Sequence, residues 1–172
     1  MSNVRPHRMI SKSWEDRTSD QLVAPEALAL IVGASLLTSR FGEWPSFEDA
    51  EVLSMNFDRG NYEWVLQTDS WSQLVLPSLS TAFYVFDALY AFEDPRRQAS
   101  VATIRFDDLV HFDMDGFNHQ NPSVGLSLGV QYSEALKKTL LVANWGGTGI
   151  QHEVSLLCSS ANVVSVVASG VV

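Results

Sequence analysis

Basic residues are scarce in this chain. Eleven Lys and Arg stand against twenty Asp and Glu over 172 residues, a formal net charge of −9. Binding to a nucleic-acid backbone requires cations that displace condensed counterions, so this balance argues against direct nucleic-acid binding and against docking on anionic lipid. Cysteine occurs once, as Cys158, so no intramolecular disulfide can form and nothing points to an oxidising compartment. Cys158 follows the apolar residues Val154, Leu156 and Leu157, which favours a buried, inert thiol over a nucleophile. Long apolar runs are missing too. The longest, from Ala27 to Leu37, is interrupted by Gly33 and Ser35 and falls short of the roughly 20 residues a membrane-spanning helix needs. Met1 to Asp20 is polar and has no apolar segment of a secretory signal, so a cytoplasmic location is the expectation.

What is present is enough apolar sequence, 46%, to build a core. Residues 1–20, with Arg5, Arg8, Lys12 and Arg17, read as a polar leader expected to be flexible, with Trp14 as its one anchor. Residues 21–172 read as a single domain, without repeat or low-complexity linker.

The spacing predicts one helix over residues 25–40. Pro25 suits its first position, Glu26 the positive end of the dipole, Arg40 the other end and Gly42 the stop. Leu28, Ile31, Val32 and Leu36 recur at helical spacing, with almost no polar face, so this helix is expected to be largely buried. After Trp44-Pro45 the period becomes two. Leu53, Met55 and Phe57 alternate with Ser54, Asn56 and Asp58. The turn signal Asp58-Arg59-Gly60-Asn61 follows, and then Tyr62, Trp64 and Leu66, which together read as a hairpin. Trp71 to Ser80, with Pro77, reads as a connection, and Ala82 to Phe92 as an aromatic strand. Val101–Phe106 and Leu109–Met114 read as further strands, or one bent strand. Val124, Leu126, Leu128, Val130 and Tyr132 form the clearest half-buried strand, followed by Leu140–Trp145, Ile150–Cys158 and Val163–Ala168. One helix and about eight short strands with turn-length connections predict an α+β fold. In it an N-terminal helix packs on a curved, mainly antiparallel sheet or sandwich.

Candidate chemistry is sparse. His111, Asp113 and Asp115 share one face of a strand and could hold a metal, but Val110, Phe112 and Met114 take the opposite, core-like face. The three polar residues then form the wet side of a half-covered sheet, and no metal is expected. Asp107-Asp108 falls between apolar runs and suits a bend. His119 lies in an amide-rich cluster, and His152 has no evident partner. Gly146-Gly147-Thr148-Gly149 lacks the Lys of a phosphate loop and reads as a turn. No catalytic set and no cofactor site emerges, and the rings lie mostly at core-facing strand positions.

Residues 44–52, Trp-Pro-Ser-Phe-Glu-Asp-Ala-Glu-Val, resemble the signature of the immunity protein 50 family, predicted partners of bacterial polymorphic toxins. The family pattern runs Trp-Pro-Ser-Phe-His-Asp-Ala-Glu-Val, so Glu48 is the one departure. Ile104-Arg105-Phe106 and the segment Phe117, Asn118, Gln120 and Asn121 resemble a later strand and an amide-rich turn of the same family. The resemblance runs from about residue 35 to about residue 165. It implies an α+β fold, no enzymatic activity, and stoichiometric neutralisation of a toxin encoded nearby.

Within the motif, Pro45 restricts Trp44 to extended backbone. Ser46 can bond the backbone at the turn, and Phe47 with Trp44 would seal helix against sheet, so Trp44, Pro45, Ser46, Phe47 and Asp49 read as structural. Recognition is expected elsewhere. Residues 41–95 hold ten acids and one base, Arg59, which suggests a steering surface for a basic partner such as a nuclease. Glu48, Asp49, Asp58 and Glu63 are its candidate toxin-binding members. Two alternatives remain open: a small-ligand or carbohydrate-binding β module, and a small hydrolase using His111 or His152 with a carboxylate.

Overall fold

The computed structural model describes residues 23–60, 62–67, 70–75, 77–86, 99–115, 122–147 and 150–169. Only the backbone is described at 48–49, 62–67, 70–75, 86, 122–124, 147 and 150–152. The chain is mainly β. Its elements are α1 (Pro25–Leu28), β1 (Ile31–Val32), α2 (Ala34–Phe41), β2 (Glu48–Asp58), β3 (Tyr62–Gln67), β4 (Ser70–Val75) and β5 (Ser78–Phe86). They continue as β6 (Ala99–Asp107), β7 (His111–Asp115), β8 (Pro122–Val124), β9 (Leu126–Ser133), β10 (Lys138–Gly147), β11 (Ile150–Cys158) and β12 (Ser160–Ala168).

The expected single helix over 25–40 is broken in two. Ile31 and Val32 instead pair in parallel with Ala161 and Asn162 of β12. Gly33 then takes φ 74, a left-handed conformation that glycine adopts without steric cost, and α2 starts anew. Backbone pairing of Ile31 and Val32 with β12 thus overrides the apolar helical period. Burial is also smaller than expected. Leu37 and Phe41 are enclosed, but Leu36 and Val32 are exposed.

Two sheets face each other. The larger has the order β1-β12-β6-β5-β2-β8 and the smaller β7-β11-β10-β9, while β3 and β4 pair separately. All neighbours are antiparallel except β1 with β12. The expected hairpin of β2 with β3 does not form. β2 pairs with β5 and β8, and β3 pairs with β4. The region from Trp71 to Ser80, expected as a connection, supplies β4 and the start of β5. The turn at Asp58 is real, with Asp58 Oδ1 accepting from the Gly60 N–H at 2.9 Å, but it leads from one sheet to a separate ribbon.

β6 and β7 are two strands in different sheets, joined at Asp108, whose φ of 55 makes the sharp corner expected of Asp107-Asp108. The core lies between the sheets. Phe83 and Phe106 of the larger sheet close on Trp145 of the smaller, at ring-centroid distances of 5.5 and 5.6 Å. Leu126, Leu141, Val154, Leu156 and Cys158 complete the wall. Leu53, whose alternation with Ser54 and Asn56 marks the apolar and so core-facing side of its strand, is exposed. A bulge between Val52 and Ser54 shifts the register there, so that Val52 packs inward while Leu53 leaves the ladder. Phe57 is half-exposed but meets Phe112 across the sheets at 6.1 Å, and Val130 extends past the core's edge.

Candidate functional site

The motif at 44–52 builds a corner where the chain enters the larger sheet. Phe47 has φ 58, unfavourable for a side chain with a Cβ, yet its ring is fully buried against Phe83 at 5.2 Å and Trp44 at 6.0 Å. Ring burial holds the strained backbone in place. Pro45 is buried, and the Ser46 carbonyl accepts the Leu126 N–H at 3.1 Å, which ties the corner to β9. The Ala50 N–H donates to the Phe47 carbonyl at 3.2 Å, and Ala50 and Val52 then continue into the core. The structural reading of Trp44, Pro45, Ser46 and Phe47 therefore has a physical basis. Phe47 packs on Phe83 of β5, whose ring in turn meets Trp145 of the smaller sheet.

Of the acids proposed as a recognition strip, Glu43, Glu51 and Asp58 are exposed, and so is the base Arg59. Glu48 and Asp49 open β2, and Glu63 is the second residue of β3; their side chains lie outside the described residues. Asp69, Asp87, Glu93 and Asp94 lie outside them as well, as do residues 1–22 and the segment carrying Phe117, Asn118, His119, Gln120 and Asn121.

A second acidic surface was not legible in the sequence. On the outer face of the smaller sheet, His111, Asp113 and Asp115 of β7 are exposed as expected, but the opposite face is not the core side it was expected to be. Of its three residues only Phe112 packs against the core, while Val110 and Met114 are exposed because β7 is the edge strand of its sheet. β11 adds Glu153, directly opposite Asp115. Like charges placed opposite on neighbouring strands repel, at a cost of several tenths of a kcal/mol. The residues stand 38 positions apart, so only the register reveals the pair. Successive same-face residues on a strand are separated by about 7 Å. Among the described residues, no His, Cys, Asp and Glu side chains gather into a metal-holding group. Arg105, at 2.8 Å from Asp107, forms a surface ion pair of small energetic weight.

Cys158 is fully buried, and its Sγ donates to the Ser160 carbonyl at 3.3 Å. Burial pushes its thiol up to about 12. The Ser160 contact opposes that rise, and the nearby Asp107 and Asp108 charges add to it. A thiol held this firmly protonated is a poor nucleophile. Phe41, Phe47, Phe83, Phe106 and Trp145 are all buried, so these rings form no sugar-stacking platform. No helix among the described residues is long and apolar enough to cross a membrane. The chain matches no family model, no curated protein and no solved structure.

Proposed function

We propose that this chain is a bacterial immunity protein that binds its cognate toxin and neutralises it by stoichiometric occlusion in the cytoplasm, without catalysis. The observation that carries this reading is the motif at Trp44–Val52, whose Phe47, Ala50 and Val52 build a buried corner while its Glu51 is exposed. The ten-to-one excess of acids between residues 41 and 95 supports a basic toxin, such as a nuclease, as the partner. Exposed Glu43, Glu51 and Asp58 belong to the approach surface, and Glu48, Asp49 and Glu63 are its further candidates by their place in the sequence.

Co-expression with the toxin encoded beside its gene tests the reading. Growth should be restored, and the two proteins should elute as a stoichiometric complex. Failure to protect overturns the assignment. Protection without a complex overturns occlusion and turns attention to a catalytic role for His111 or His152.

A further inference from the structure

β9 ends the smaller sheet, and its outer edge is only half used. The Leu126 N–H donates to Ser46, and the Leu128 carbonyl accepts the Ala24 N–H at 2.9 Å. In an antiparallel strand the N–H and C=O of one residue point to the same side, and alternate residues point the same way. Leu126 and Leu128 thus turn outward while Gly129, Gln131 and Ser133 turn toward β10, with which β9 pairs without a register shift. By the same alternation Val130 and Tyr132 present their backbone groups outward, and these have no partner among the described residues.

Sheet edges of this kind are normally blunted by charge, proline, a bulge or brevity. β1 has two residues, β8 has three including Pro122, and β7 carries Asp113 and Asp115. From Gly129 to Ser133 β9 has none of these devices. Its side chains add apolar surface, with Val130 38% and Tyr132 53% exposed, and Leu136 47% exposed in the turn beyond.

We propose that the chain forms a two-fold homodimer by antiparallel pairing of this open edge of β9, with Gln131 on the axis. Val130 then faces Tyr132 of the second copy, and each such pair exchanges both N–H···O=C bonds. The occupant is a second copy because the edge fits itself. It is bounded at Leu128 by Val23, which bridges there, and at Ser133 by the turn that returns the chain to β10. Two such segments are equal in length and fill one another. A longer strand from another protein would run into Val23. The strip is also free of charge, so two copies at −9 can approach along it with little local repulsion. A two-fold contact uses the same patch twice, as this one does. The edge is small beside the roughly 1,600 Å² of a standard interface, so the dimer is weak and concentration-dependent.

Sedimentation velocity over a range from about 5 µM to about 500 µM brackets the affinity expected of so small a contact. The mass should rise from monomer to dimer. The double substitution Val130→Lys with Tyr132→Lys sets like charges opposite each other across the axis. It should hold the protein monomeric throughout with an unchanged far-ultraviolet circular dichroism spectrum. Hydrogen exchange on the unaltered protein gives an independent reading. The amides of Val130 and Tyr132 should gain protection with concentration, whereas those of Gly129 and Gln131 are protected at all concentrations. A monomer across the whole range overturns the proposal, as does a dimer that survives the folded double variant or leaves the Val130 and Tyr132 amides exchanging freely.

Discussion

At the scale of single residues, the core depends on rings whose polar atoms go unused. Trp145 is fully enclosed between Phe83 and Phe106, and its Nε1–H has no partner among the described residues; the same holds for Trp44 Nε1 and for the Oγ1 of buried Thr81. A buried donor without an acceptor costs about 1–3 kcal/mol. The indole is therefore valued for volume, not for hydrogen bonding. Trp145→Ala should cost about 3–5 kcal/mol through the cavity it leaves. Trp145→Phe should cost less than about 1.5 kcal/mol, because the lost donor offsets part of the smaller void. Urea denaturation of both variants checks the contrast, and equal losses would show that the indole N–H does find an acceptor. Cys158 carries a second residue-scale prediction. Its thiol is raised from an ordinary 9.0 to about 12, so the folded state holds the proton that the unfolded chain releases first. The stability this contributes is present below pH 9 and is lost as pH climbs toward about 12. A thiol reagent should leave Cys158 untouched in the native protein and label it after denaturation, and Cys158→Ala should remove this part of the alkaline decline.

At the scale of elements, the sequence made most strands legible, though not β1 or β4, and it hid their partners. β9 through β12 fall where alternation and turns place them, because each is a strand whose period comes from its own residues. The failures have a common cause in long-range backbone bonding. Ile31 and Val32 have the spacing of a helix, but β12 offers them a parallel ladder and Gly33 supplies the left-handed step that makes it reachable. Leu53 has the period of a core residue, but a bulge that no local signal marks removes it from the ladder. Asp58 and Gly60 gave a correct turn and a wrong partner, since a turn fixes direction and not which strand lies alongside. Within the candidate site, Asp58 was readable as an exposed turn residue, whereas the Asp115–Glu153 opposition depends on a β7–β11 register set by the whole sheet. Gly33 is the point where this can be tested. A Cβ there would lie 2.9 Å from the Val163 carbonyl oxygen, on a backbone with φ 74. Gly33→Ala should therefore destabilise the fold by about 1–3 kcal/mol, even though alanine is the better helix former. If the helical period governed this segment, the same substitution would stabilise it, so the sign of the shift in denaturation midpoint decides between the two.

At the scale of the whole molecule, two opposed sheets bury their rings inward and leave acid outside, and the proposed function depends on how that charge is spread. Exposed charges contribute little to folding, and their influence reaches only about a Debye length, roughly 8–10 Å at physiological salt. They act mainly on approach, since a partner of opposite sign is captured faster while the rate of leaving depends on contacts formed later. Asp58 is exposed at the end of β2, and Glu63 follows it near the start of β3 across the turn, so reversing both alters the charge along the strip. Asp58→Lys with Glu63→Lys should slow association with a basic toxin roughly tenfold or more at low salt. The deficit should shrink as salt rises, dissociation should hardly change, and stability should fall by no more than about 0.5–1.5 kcal/mol, the net worth of the Asp58–Gly60 hydrogen bond that lysine cannot accept. Asp58 also accepts the Gly60 N–H, so Asp58→Asn with Glu63→Gln, which keeps a side-chain acceptor at the turn, separates charge from turn geometry and should give about half the effect in logarithmic terms. Surface plasmon resonance across a salt series measures all of this. An association rate for the unaltered pair that ignores salt would assign the strip to solubility alone. A deficit that persists at high salt would place Asp58 and Glu63 in the bound contact itself, where lost pairing rather than lost steering governs the loss.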